Sequence, residues 1–254
     1  MGEPALHLQL LRSATLKIRA GAATLLVDPY LAEQGQGRSY AGVHTSPLVG
    51  LPMPVAELLA DVDAVFVSHL HSDHFDDAAK ALLPRALPLL CPAALAEPLR
   101  GFGFTDVTPI ADGLDWRGWR LELTGGRHGP DEILEALGEV NGFVLRRPGA
   151  PTLFWIGDSI WCEPVLEALG KHAPDVIVAH ACGATLRGVG PLVMDEAQVE
   201  ALLRAAPQAT VVATHLDAVD HATVSRAQLA AHFAHQPLLA QRLRIPADGE
   251  TVSF

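Results

Sequence analysis

The chain has 254 residues, 49% of them hydrophobic and 19% charged, and a net charge of −11. That composition supports a substantial core and excludes general disorder. The acidic balance offers nucleic acid or an anionic membrane no broad electrostatic attraction.

In chain order, short strands open the sequence: "LHLQLL", "ATLKIRA" and "ATLLVDP", the last stopped by Pro29 after Asp28. Residues 30–53 are punctuated by Gly, Pro and Ser and read as one long loop, a length that usually signals function or mobility. A short helix over "VAELLAD" leads to a buried strand over "DAVFVSH", and "DDAAKALLP" has helical spacing up to Pro84. "PLLCP" and "DVTPI" read as strands around a helix over "AALAEPLRG". Next come three strands, "WRLELTGG", "NGFVLRRPG" and "PTLFWIGDS".

The remainder alternates helix and strand: "EPVLEALGKH", "DVIVAH", "DEAQVEALLRAAP", "ATVVATH", "RAQLAAHFAHQ", and closing strands near "RLRIP" and "ETVSF". Strand runs with helices in both halves predict an α/β fold of two packed sheets with helices outside. No compositional shift marks a boundary, so residues 1–254 are read as a single domain.

Cys91, Cys162 and Cys182 have no paired spacing and form neither a disulfide framework nor a zinc ribbon. The opening residues lack the pattern of an export signal, and no apolar run is long enough to span a bilayer. A soluble cytoplasmic protein acting on a small molecule is the expectation. A homo-oligomer is compatible with the sequence, and no nucleic-acid or membrane partner is expected.

Twelve histidines against two tyrosines direct attention to "AVFVSHLHSDHFDD", residues 64–77. An apolar strand stops and His69, His71, Asp73 and His74 follow within six residues. Residues two apart in extended chain share a side, so His69 and His71 face one point, while Asp73 and His74 serve a second after a turn. Imidazole and carboxylate together suit zinc, manganese or iron. An N-cap role accounts for an aspartate here, but not for the histidines.

The run H-x-H-x-D-H in "SHLHSDHFD" resembles the signature of the metallo-β-lactamase superfamily, whose fold is a four-layer αββα sandwich. "SATLKI" with "LLVDP", "GGRHG", "WIGDS" and "VVATH" follow in the order of that family. The resemblance implies that His69, His71 and His128 hold one divalent transition-metal ion. Asp73, His74 and His215 would hold a second, with Asp158 bridging and a hydroxide between the ions. Zinc or manganese is favoured over iron, and Asp73 and Asp158 take the catalytic roles.

Other residues have less to single them out. His180 follows a buried strand and lines the pocket or sits satisfied in the core. His221, in "HLDAVDH", competes with His215 but is read as a pocket residue. Asp28 backs a ligand or merely turns the chain before Pro29, and Tyr30 stands beside the long loop.

Within the superfamily, "THLDAVDHATVSRAQL" is similar to the group that includes L-ascorbate-6-phosphate lactonase. This implies a binuclear metal-dependent hydrolase of a small ester, lactone or related carbonyl compound, with or without a phosphate group. The alternatives are a metal-dependent phosphodiesterase or nuclease, and a metal-binding sensor of the same fold without turnover.

Overall fold

The computed structural model describes residues 6–186 and 189–254. Two seven-stranded sheets carry the architecture. The first is built from β1 (Leu6–Arg12), β2 (Thr15–Ala20), β3 (Ala23–Val27), β4 (Ala64–Phe66), β5 (Leu89–Pro92) and β6 (Val107–Ile110). The second takes β7 (Leu114–Trp116), β8 (Trp119–Gly125), β9 (Asn141–Arg146), β10 (Leu153–Trp155), β11 (Val176–His180), β12 (Thr210–Thr214) and β13 (Leu243–Arg244). The last strand, β14 (Thr251–Ser253), returns to pair antiparallel with β1 on the edge of the first sheet.

The strands that support the site are buried on both faces, and their side chains alternate between two cores. Leu25 and Val27 of β3 point between the sheets, while Leu26 points outward under the helices. On β10, Leu153 and Trp155 face inward and Phe154 outward. The inner core is partly aromatic: Phe143 stacks on Trp155 at 5.3 Å and 20°, with Phe66 edge-on at 4.8 Å from Phe143.

Helices α1 (Val55–Leu59), α2 (Asp77–Leu82) and α3 (Ala96–Gly101) cover the outside of the first sheet through Leu58, Ala79 and Leu99. One further helix, α4 (Asp131–Leu137), packs no buried residue. Helices α5 (Glu163–His172), α6 (Glu196–Ala205), α7 (Arg226–Phe233) and α8 (Pro237–Ala240) cover the second sheet, anchored by Val165, Leu202, Phe233 and Leu239. The result is the four-layer αββα sandwich.

Three elements lie outside the sequence reading. β7 is three residues long and joins β8 through a tight turn at Arg117 and Gly118, both at positive φ. α4 is seven residues long and its apolar positions Ile133, Leu134 and Leu137 are only half-buried, and α8 is a four-residue turn of helix.

Strands β3 to β6 run parallel, as do β10 to β13. The carboxyl ends of β3, β4, β10, β11 and β12 therefore discharge Asp28, His69, Asp158, His180 and His215 onto one rim of the sandwich. Crevices beyond such strand ends are where open α/β sheets bind ligands.

Candidate metal centre

Asp28 organises the histidine cluster from behind. It lies in the left-handed region at φ 45°, which turns its fully buried carboxylate toward the segment after β4. Its Oδ1 accepts the Ser68 backbone N–H at 2.8 Å. Oδ2 accepts the Ser68 hydroxyl at 2.6 Å and pairs with His74 Nδ1 at 2.7 Å.

The same division of labour recurs in other rings. Ser68 Oγ lies 2.8 Å from His69 Nδ1, the Leu192 carbonyl 3.0 Å from His128 Nδ1, and Ser13 Oγ 3.2 Å from His215 Nδ1. Each ring is oriented through one nitrogen and turns the other inward, the arrangement that metal-ligating histidines adopt.

Two donor groups result. His69, His71, His128 and Asp158 each offer one atom, all within 4.8 Å of one another. His74, Asp158, His180 and His215 do the same. Asp158 belongs to both groups: Oδ2 is 3.1 Å from His74 Nε2 and 3.4 Å from His128 Nε2, and Oδ1 is 2.6 Å from His180 Nδ1. Gly157 permits this placement, because at φ 75° an added Cβ would meet the Trp155 ring at 2.8 Å. Asp73 approaches the second group, with Oδ2 3.6 Å from His215 Nε2.

The electrostatics prepare the donors. Burial opposes ionisation of Asp73, yet the nearby His215 and His74 rings hold it well below the usual carboxylate range. Burial likewise opposes the Asp158 anion, and His74 and His128 reverse the balance. Burial, reinforced by neighbouring rings, keeps His69 and His71 low and therefore neutral. His180 is pushed down to about 4 by burial despite its contact with Asp158. Two rings depart from this: His215, raised against burial by Cys182 and Asp73, and His74. Burial disfavours its charge, but Asp158 and Asp28 outweigh this and raise it to about 10.

This donor set fits divalent transition metals. The inward nitrogens face each other, His69 Nε2 to His71 Nδ1 at 3.0 Å and His74 Nε2 to His215 Nε2 at 3.3 Å. Among the described residues, buried His180 Nε2 has no hydrogen-bond partner. Facing imidazole nitrogens and anionic oxygens around one shared carboxylate are the ligands that zinc, manganese and iron accept.

A cavity of about 460 Å³ opens onto His71, Asp73, His128, Asp158 and His215. Its walls include Leu70, Ala184, Leu186, Leu192 and Val193, and Arg38 is the one Lys or Arg among its described lining residues. A hollow of about 610 Å³ beneath α4 touches only His128 of these donors.

The long loop of residues 30–53 contributes Arg38 and Tyr40 to the cavity. Tyr40 donates to Asp73 Oδ1 at 3.1 Å and shares a 2.5 Å hydrogen bond with Ser72. Asp220 straps this loop down, accepting from Ser39 Oγ at 2.6 Å and Tyr40 N at 2.8 Å, and from the backbone of Ala41, Val43 and His44.

Of the residues singled out from sequence, His69, His71, His74, His128, Asp158, His180 and His215 come together, with Asp28 directly behind and Asp73 alongside. His221 lines the cavity and packs against Tyr40 at 4.6 Å between ring centroids. Tyr30 does not line it. Tyr30 is buried under the Arg12 guanidinium, in a small cluster with Ala32 and Val219. Tyr40 and Arg38 reach the cavity instead. Their position depends on Asp220, 180 residues from Tyr40, a contact without a local signal.

Sandwich and site together define a metal-dependent hydrolase of the metallo-β-lactamase class. Residues 23–216 match the family described as the Beta-lactamase superfamily domain, and the chain belongs to that superfamily. It is 32% identical over 250 residues to the UPF0173 protein YddR of Bacillus subtilis, covering 96% of this chain and 98% of that one. A possible metal-dependent hydrolase from Veillonella parvula superposes with a TM-score of 0.93 at 30% identity, over 99% of both chains. An isothiocyanate hydrolase from Delia radicum gut bacteria superposes with a TM-score of 0.92, also at 30% identity, over 98% of this chain and 99% of that one.

Proposed function

We propose that the chain is a binuclear hydrolase that adds water to an electrophilic carbon of a small uncharged substrate: an ester, a lactone or an isothiocyanate. The observation that carries this reading is the cavity itself, where the two donor groups meet an aliphatic side formed by Leu70, Leu137, Leu186, Leu192 and Val193. An uncharged molecule loses little on entering such a space, whereas a charged one needs paired partners. Full-length similarity to an isothiocyanate hydrolase supports including that class of carbon.

Bound ions would supply Lewis acidity and water acidified to a pKa of about 7. In this reading His69, His71 and His128 would hold one ion and His74, His215 and Asp73 the other, with Asp158 available to both. The chain's own contribution is positional. Asp28 and Leu192 fix the rings of His74 and His128, and Tyr40 holds Asp73 through Oδ1. Asp73 lines the cavity as a carboxylate, so it can orient the water that adds to the carbon.

Arg38 favours a second reading, in which the substrate also carries a phosphate group. A single exposed guanidinium is a weak counterpart for a dianion, which places this second.

The test is a panel of aryl ester, lactone, isothiocyanate and bis-(p-nitrophenyl) phosphate, assayed with zinc- or manganese-loaded protein. Hydrolysis of a carbon substrate that is lost in His71→Ala is the expected result. Loaded protein that cleaves only the phosphodiester, or none of the panel, contradicts the reading.

A further inference from the structure

Beyond His71 the site has a second chamber. It holds about 370 Å³ and shares His71, Leu70 and Leu137 with the main cavity. The two spaces thus flank one histidine of the first donor group. Leu70 and Leu137 stand at their junction.

The chamber's own walls come from elsewhere in the fold. Pro92 ends β5, Ala94 and Leu95 form the single turn that follows, and Leu137 closes α4 from the opposite sheet. Its surface is mainly hydrocarbon, and Glu139 and Asn141 stand among its polar lining. An acid in that position disfavours an anionic group, and aliphatic walls favour an alkyl or aryl one.

A carbon reacting at the donor groups between these spaces can project substituents both ways. An isothiocyanate carries one organic arm, and an acyclic ester carries two. We propose that the chamber is a substrate subsite that takes an uncharged alkyl or aryl arm of an acyclic ester, while the other arm occupies the main cavity. The proposal rests on the hydrolase reading and narrows its substrate class.

The closing experiment uses full-length, zinc-loaded protein and a series of straight-chain hydroxamic acids from acetyl to octanoyl, titrated by calorimetry. The hydroxamate head addresses the metals, so the tail is read without turnover. Each added carbon should tighten binding by up to roughly fourfold until the chamber is filled. Ala94→Trp, at an exposed position, fills the chamber and should abolish this gradient while leaving acetohydroxamate affinity unchanged. Leu95→Glu, which brings a charge instead of bulk, should flatten it as well.

A flat series in the unaltered protein, or an unchanged gradient in both variants, overturns the proposal. Zinc content and ester turnover are measured on the same samples. Protein without zinc condemns the metal site itself. A chain-length gradient without turnover removes the hydrolase reading but keeps the subsite. Turnover of short esters without a gradient removes the subsite alone.

Discussion

At the scale of single residues, Asp28 shows how a buried carboxylate determines what its neighbours can do. It receives two hydrogen bonds from Ser68 and one contact from His74, and it is wholly enclosed. It helps fix the orientation of the His74 ring, with Nδ1 toward Asp28 and Nε2 toward Asp158. Asp28→Ala should therefore weaken binding of the second ion by roughly 10–100-fold. Competition against a chelator of known affinity measures this. An affinity equal to that of the unaltered protein would show that the ring needs no support. Residue-level signals were legible where an apolar run ends in a metal-ligating type, as in "AVFVSH", "LFWIGD" and "VVATH". An unpaired polar group there is costly, so its presence implies a partner. Tyr40 gave no such signal, because a loop tyrosine looks solvated until its Asp220 anchor is known.

At the scale of elements, the loop of residues 30–53 behaves as a strap held at one carboxylate. Burial acts to raise Asp220, but hydrogen bonds from Ser39 and successive backbone N–H groups outweigh it and hold the group low. A folded pKa below the unfolded one means that the stabilisation is complete above the ordinary carboxylate range and drains away as pH falls through it. The stability gap between the unaltered protein and Asp220→Ala should then be widest near pH 7 and shrink below about pH 4. Thermal melts of both proteins across that range test this, and a gap independent of pH would contradict it. The strands and the capped helices were legible from their periodicity and termini: Asp76, Asp195 and Ser225 each cap a helix as their spacing allows. α4 was not legible. Its apolar positions, Ile133, Leu134 and Leu137, span less than two turns and are only half-buried, too short a pattern to mark a helix.

At the scale of the whole molecule, the parallel strands of two sheets deliver donors from distant parts of the chain to one rim. Asp28 and His215 lie at opposite ends of the order, yet His74 contacts both, at 2.7 Å and 3.3 Å. The sandwich was legible because strands with a core on either face read as continuous apolar runs set between helices. The shape of the cavities was not, since it depends on how a loop and an unburied helix meet across the two sheets. The central claim is that this rim holds two ions around one shared aspartate. Elemental analysis of purified, metal-reconstituted protein tests it most directly. Two transition-metal ions per chain, falling to one or none in Asp158→Ala, is the predicted result. A chain that retains no metal, or one whose content is unchanged by Asp158→Ala, would contradict it.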